Sequence, residues 1–124
     1  FDIDWGDTIA AMLVVSAFAL TGTGAGMIHG STFSTEQQAS GFAIFGALML
    51  AAIGGSMVPL EIFPDTMVAI AHLTPHAWGN DAFSELILHS GGVSDIAVEL
   101  TVLTAYGIAL VVLASIIFKR RLTH

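Results

Sequence analysis

The sequence has no cysteine and only three basic residues among 124, Lys119, Arg120 and Arg121. Without thiols there is no disulfide framework, thiol nucleophile or cysteine-ligated metal site. Ten acidic residues against those three give a net charge of −7, which repels phosphate backbones and argues against nucleic acid as a partner. Charge of either sign is scarce. Only 10% of residues are charged, whereas a soluble domain carries charge on about a quarter of its residues. What fills the space is apolar: 55% of the chain is hydrophobic and its mean hydropathy is +0.84. A soluble fold of this length cannot hide that much apolar surface. The chain starts at Phe1 without an initiator Met, and residues 1–7 lack the basic start and small-residue cleavage site of a secretory signal. It reads as a piece of a longer polypeptide.

Three stretches hold no Asp, Glu, Lys or Arg: Thr8 to Ile28, Gln37 to Leu60, and Leu100 to Phe118. At 1.5 Å per helical residue each is long enough for a hydrocarbon core of about 30 Å. In lipid a lone segment has to satisfy its own backbone hydrogen bonds, so each is expected to be a helix. The period-two alternation of a membrane barrel is missing. The expected fold is therefore all-α and integral to the membrane, one domain over 1–124, with spans at about 8–28, 37–60 and 95–118. Asp7 is positioned to cap the first helix, Ser34 with Gln37 makes a capping-box pattern for the second, and Ser94 precedes the third.

Residues 61–92 are neither a span nor a soluble loop. Pro64 and Pro75 read as the first residues of two short helices, with Thr74 capping the second. Gly91 and Gly92 end it. On a helical wheel Trp78, Ala82, Phe83, Leu86 and Ile87 share one half, and Asn80, Asp81, Ser84 and Glu85 the other. Such a piece lies in the interface or dips partway into the membrane. By the positive-inside rule Lys119, Arg120 and Arg121 set the C-terminal end in the cytoplasm. Counting crossings then puts residues 1–7 outside, 30–36 inside and 61–99 outside. Nine of the ten acidic residues fall on that outer side, Glu36 being the exception.

A more specific pattern runs through the chain: Gly54-Gly55-Ser56-Met57-Val58-Pro59, then Pro64, then Leu73-Thr74-Pro75-His76-Ala77-Trp78, then an amphipathic helix and a last span ending Phe118-Lys119-Arg120-Arg121. With the Gly22-Thr23-Gly24-Ala25-Gly26 run and the Thr35-Glu36-Gln37-Gln38-Ala39 loop, this resembles the C-terminal half of type-2 ABC export permeases. The resemblance implies the last three helices of a six-helix permease, with short re-entrant helices at Pro64 to Leu73 and Pro75 to His89 on the outer side. It further implies a second permease half, identical or different, and a cytoplasmic ABC ATPase that binds ATP and Mg. This chain has no G-x-x-x-x-G-K-[ST] and is expected to bind no cofactor or metal and to catalyse nothing itself. Substrates of the class run from drugs and lipids to polysaccharides and ions, and the site of action is the plasma membrane.

Small residues recur every fourth position at Ala39, Ala43, Ala47, Ala51 and Gly55, and at Gly22, Gly26 and Gly30, which lets helices approach closely. The first of these stripes is the expected packing or pathway face. Gly54, Gly55 and Pro59 form a candidate outer hinge, continued by Pro64, Pro75 and Trp78. His72 and His76 have metal-ligand spacing, but Pro75 between them is expected to put them on separate elements. Glu61, Asp65, Asp81 and Glu85 read as a solvated outer rim. No span carries a buried charge of the kind ion-coupled transporters use, which favours a drive from outside the bilayer. The rival reading is a helical anchor or assembly subunit that transports nothing. An intramembrane enzyme ranks last, because no nucleophile-base pair or HExxH lies in the spans.

Overall fold

A computed structural model describes residues 2–123, so that Phe1, counted with the expected outer segment 1–7, lies outside the described residues. Among those residues there are five α-helices and no strand: α1 Thr8–Thr32, α2 Glu36–Ile53, α3 Asp65–Ala71, α4 Pro75–Leu88 and α5 Ala97–Leu122. Two 3-10 turns, Leu60–Ile62 and Val93–Ile96, precede α3 and α5. The all-helical expectation holds, as do two short helices in the segment between the spans.

Asp7 caps α1 as expected, its Oδ1 accepting from the Ala10 amide at 3.0 Å. The other two caps differ. Thr35 rather than Ser34 opens α2, its hydroxyl accepting from the Gln38 amide at 3.3 Å. Ser94 falls inside the 3-10 turn before α5, where the Asp95 carboxylate takes the Gly92 amide at 2.8 Å. Thr74 does sit before Pro75, but its hydroxyl donates back to the Ala71 carbonyl at 2.7 Å and caps nothing.

The expected count of three uniform spans needs correction. Among the described residues two helices are long and apolar enough to cross a membrane, α1 and the stretch Val93–Leu122. The segment expected at 37–60 stops being a helix at Ile53. Its 18 residues amount to roughly 27 Å, and its first turn is Glu36-Gln37-Gln38. The stop is sharp because Gly54 and Gly55 build a Schellman turn. The Ser56 amide reaches the Ala51 carbonyl at 2.9 Å, and Gly55 takes φ +84°, which favours a residue without Cβ. Pro59 follows and cannot resume the helix.

Helices α1 and α5 run parallel. Asp7 approaches Gly92 at one end, Thr21 donates to the Leu103 carbonyl at 3.1 Å further along, and Gly24 meets Leu110 beyond that. A Cβ at Gly24 would stand 2.6 Å from that of Leu110, and one at Gly107 would stand 2.7 Å from Leu20 Cγ. Two glycines thus permit the close approach. Gly22, Gly26 and Gly30, the stripe expected from spacing, have nothing within 4 Å of a Cβ and face outward. Because α1 and α5 are parallel, the chain between them has to return. α2 does this, held to α1 by stacking of Phe33 on Phe42 with centroids 4.9 Å apart and by His29 Nε2 on the Ala39 carbonyl at 2.7 Å. No residue of α2 is buried.

The core lies towards the Asp7 end, where Ala10, Val14 and Ala17 of α1 meet Ala82 and Leu86 of α4 and Ile96 and Leu103 near and on α5. Away from it the long helices expose large apolar side chains, among them Ile9, Met12, Phe42, Ile44, Phe45, Ile108 and Val112. Apolar exposure on this scale suits lipid rather than water.

Candidate functional site

Helices α3 and α4 form a hairpin whose tip, His72 to His76, sits well down the α1–α5 pair. His76 packs edge-on against Phe18, centroids 5.3 Å apart, and Gly79 lies under the same ring. From Thr8 to Phe18 is roughly 15 Å of helix, so the hairpin dips that far along α1. α4 then climbs back until the Leu86 carbonyl lies against Gly6.

Polar contacts tie the hairpin to α5 and to the end of α2. Tyr106 of α5 donates its hydroxyl to the Leu73 carbonyl at 2.7 Å. Asn80 of α4 donates to the Gly54 carbonyl at 2.9 Å and contacts the Ser56 hydroxyl at 3.0 Å, fastening the end of α2. The Trp78 indole N–H donates to the His72 carbonyl at 2.8 Å, and its ring stands perpendicular to the His72 imidazole with centroids 5.0 Å apart. These donors satisfy carbonyls left open by the ends of α2 and α3, which in an apolar setting cost several kcal/mol each if unmet.

His72 closes the hairpin. Its Nδ1 lies 2.7 Å from the Val68 carbonyl on α3 and its Nε2 lies 2.5 Å from Asp81 Oδ2 on α4. Burial by itself pushes the imidazolium down. The hydrogen bonds to Asp81 and Val68 and the charges of Asp81 and Glu99 outweigh it, and the net shift is upward from 6.5. His76, against Phe18, is pushed below 6.5 by burial, and its Nδ1 is buried without a partner.

The residues singled out by sequence divide cleanly. Gly54, Gly55, Pro59, Pro75 and Trp78 do converge on this hairpin. Gly54 is buried where α4 crosses the end of α2, and a Cβ there would collide with His76. Pro64 stands just before α3 rather than as its first residue. Pro75 does part His72 from His76, which lie on either side of the turn. Asp81, expected on a solvated rim, is instead half-buried against His72, while Glu61 and Asp65 are exposed. Of the small-residue stripe, Ala43 and Ala47 are exposed and Ala39, Ala51 and Gly55 half-buried. Lys119, Arg120 and Arg121 form the exposed last turn of α5. Sequence reading takes Tyr106 only as an aromatic about two turns into its span, deeper than an interface anchor prefers, and misses its bond to Leu73. It also missed His72 as a bonded pair.

A family model described as "ABC-2 family transporter protein" matches residues 1–116. The chain belongs to the ABC-2 transporter family. Over 96 residues, 77% of its length, this ABC-2 chain is 30% identical to the linearmycin resistance permease protein LnrN of Bacillus subtilis (strain 168). It spans 25% of that relative's length. No solved structure matches it. The ABC-2 membership makes the chain part of a transporter's membrane permease, in keeping with its two apolar helices.

Proposed function

We propose that this ABC-2 chain is the C-terminal transmembrane part of an ATP-driven export permease that moves substrate outward by alternating access. Its partners are a cytoplasmic ABC ATPase, which binds ATP and Mg, and a second permease half. The observation that carries this reading is the family match across residues 1–116, joined by a relative named as a resistance permease. That name motivates linearmycin as the first substrate to try.

In this reading the protein sits in the plasma membrane with Lys119, Arg120 and Arg121 in the cytoplasm. The parallel course of α1 and α5 supports the rest of the orientation, since it keeps the Asp7 and Gly92 ends on one side and the Thr32 and Leu122 ends on the other. The α3–α4 hairpin then re-enters from outside and caps the outer mouth. The stripe Ala39, Ala43, Ala47, Ala51 and Gly55 on the sparsely covered α2 faces the second permease half or the path between halves, where small side chains allow close packing. The test is purification of the full-length protein in mild detergent. A P-loop ATPase should copurify, with turnover that changes when the permease is present. Export by a pure preparation lacking any such subunit would refute the reading.

A further inference from the structure

The geometry points to His72 as a protonated clasp that ties the end of α3 to α4 and weakens when its proton leaves, making the hairpin a pH-sensitive element of the permease. This goes beyond the export reading and stands on the hairpin alone.

Both atoms that face the imidazole are acceptors. The Val68 carbonyl lies 2.7 Å from Nδ1 and the Asp81 carboxylate 2.5 Å from Nε2. A neutral imidazole has one N–H and can serve only one of them, whereas an imidazolium donates to both. A proton on Asp81 instead would equally fill the gap to Nε2. Ordinary acidities, about 3.9 for Asp and 6.5 for His, assign it to the ring. Removing that proton leaves one N–H for two acceptors, so that a ring lone pair faces either the Asp81 carboxylate or the Val68 carbonyl at hydrogen-bond distance. One of the two contacts then turns from attraction to repulsion, and the clasp weakens.

The surroundings reinforce the charged state. The charged groups acting on His72 are Asp81 on α4 and Glu99 on α5, and Glu61 on the 3-10 turn lines a cleft with Asp81. Glu99 Oε2 is buried without a partner, which adds uncompensated negative character. α1 presents the uncharged Phe18 to the hairpin, and α2 ends there in Gly54. His76, the other histidine of the hairpin, faces Phe18, and burial pushes it below 6.5. Trp78 is attached to the same clasp, since its indole holds the His72 carbonyl. Loosening His72 therefore frees the α3 end and the carbonyl that Trp78 grips.

The sign follows from the upward shift. The clasp contributes stability fully below 6.5 and loses it as pH rises through the raised value. Acidic pH keeps the hairpin tied, and alkaline pH loosens it.

The experiment uses the full-length protein in lipid nanodiscs, with nitroxides at Met67→Cys on α3 and Leu88→Cys on α4 in a background freed of other cysteines. Pulsed electron resonance reads the distance distribution from pH 5.5 to 9. The expected result is one narrow distance at pH 5.5 that broadens with a midpoint above 6.5. In Asp81→Asn the midpoint moves to lower pH, and in His72→Gln the distribution is broad throughout. Nitrogen-15 spectra of labelled histidine should show both His72 ring nitrogens protonated at pH 6.5. A distance unchanged across the range overturns the clasp. So does a midpoint unmoved in Asp81→Asn, or one bare ring nitrogen at pH 6.5. If His72→Gln does not fold, the wild type and Asp81→Asn still decide.

Discussion

The Tyr106 hydroxyl donates to the Leu73 carbonyl at 2.7 Å, joining α5 to the tip of the α3–α4 hairpin across 33 residues of sequence. Leu73 lies between two helices, so its carbonyl has no helical partner of its own. Tyr106→Phe keeps the ring and removes only the hydroxyl. A loss of about 1 kcal/mol in stability is expected, rising towards 3 where the carbonyl is left buried. Thermal unfolding of the purified protein reads it, with faster hydrogen exchange confined to residues near the tip. An unchanged melting temperature would show that the bond contributes nothing.

The α1–α5 seam gives a paired comparison on one helix. Gly24→Ala puts a Cβ 2.6 Å from the Leu110 Cβ and 2.8 Å from the Val111 amide. The helices have to separate, at roughly 1 to 3 kcal/mol. Gly26→Ala meets open space, and its better helix propensity is expected to leave stability unchanged or raise it by up to about 1 kcal/mol. Chemical or thermal unfolding of the two variants side by side is the check. Equal behaviour would mean that the seam is not close-packed.

His76 supplies an acid limb to set against the alkaline one of His72. Burial beside Phe18 lowers its folded-state value, so the stability it contributes is present above 6.5 and is lost as pH falls through that lowered value. Unfolding midpoints should therefore decline as pH falls below 6.5. His76→Phe, which cannot titrate, should flatten this limb and leave the alkaline decline intact. A limb of the same slope in the variant would assign it to another group.

Much of this architecture was legible in the sequence, and the misses have physical causes. Charge-free runs and Asp7 announced α1, and the Lys119-Arg120-Arg121 end announced where α5 stops. The run at 37–60 was read as one span because it holds no Asp, Glu, Lys or Arg, and Gly54 and Gly55 do not interrupt a count of charges. The left-handed turn at Gly55 is a backbone property that such a count does not register. The four-residue glycine spacing misled for a related reason: periodicity finds a face but cannot say which face is covered. Gly24, the glycine between the striped ones, is the residue at the seam. Of the hairpin, Pro64, Pro75 and Trp78 were visible as punctuation. The His72–Asp81 pair was not, because it joins two helices whose packing no local pattern encodes.

The exposed alanines of α2 invite the next comparison. Ala47 and Leu48 are both uncovered in this chain, and only Ala47 lies on the small-residue stripe. In the full-length protein Ala47→Leu should lower export and stability, by roughly 1 to 3 kcal/mol if a second permease half packs there. Leu48→Ala should change little. Assayed in the isolated chain, Ala47→Leu should be harmless. Equal tolerance of both in the full-length protein would remove α2 from the interface.

The central claim is that this is an export permease whose α3–α4 hairpin faces outward, and topology tests it most directly. Single cysteines at Ser90, beyond α4, and at Thr32, the end of α1, are placed in the full-length protein and exposed to an impermeant maleimide on intact cells. Labelling at Ser90 and protection at Thr32 until the membrane is permeabilised is the expected result. Labelling at Thr32 in intact cells, with Ser90 protected, would turn the molecule over and contradict the account.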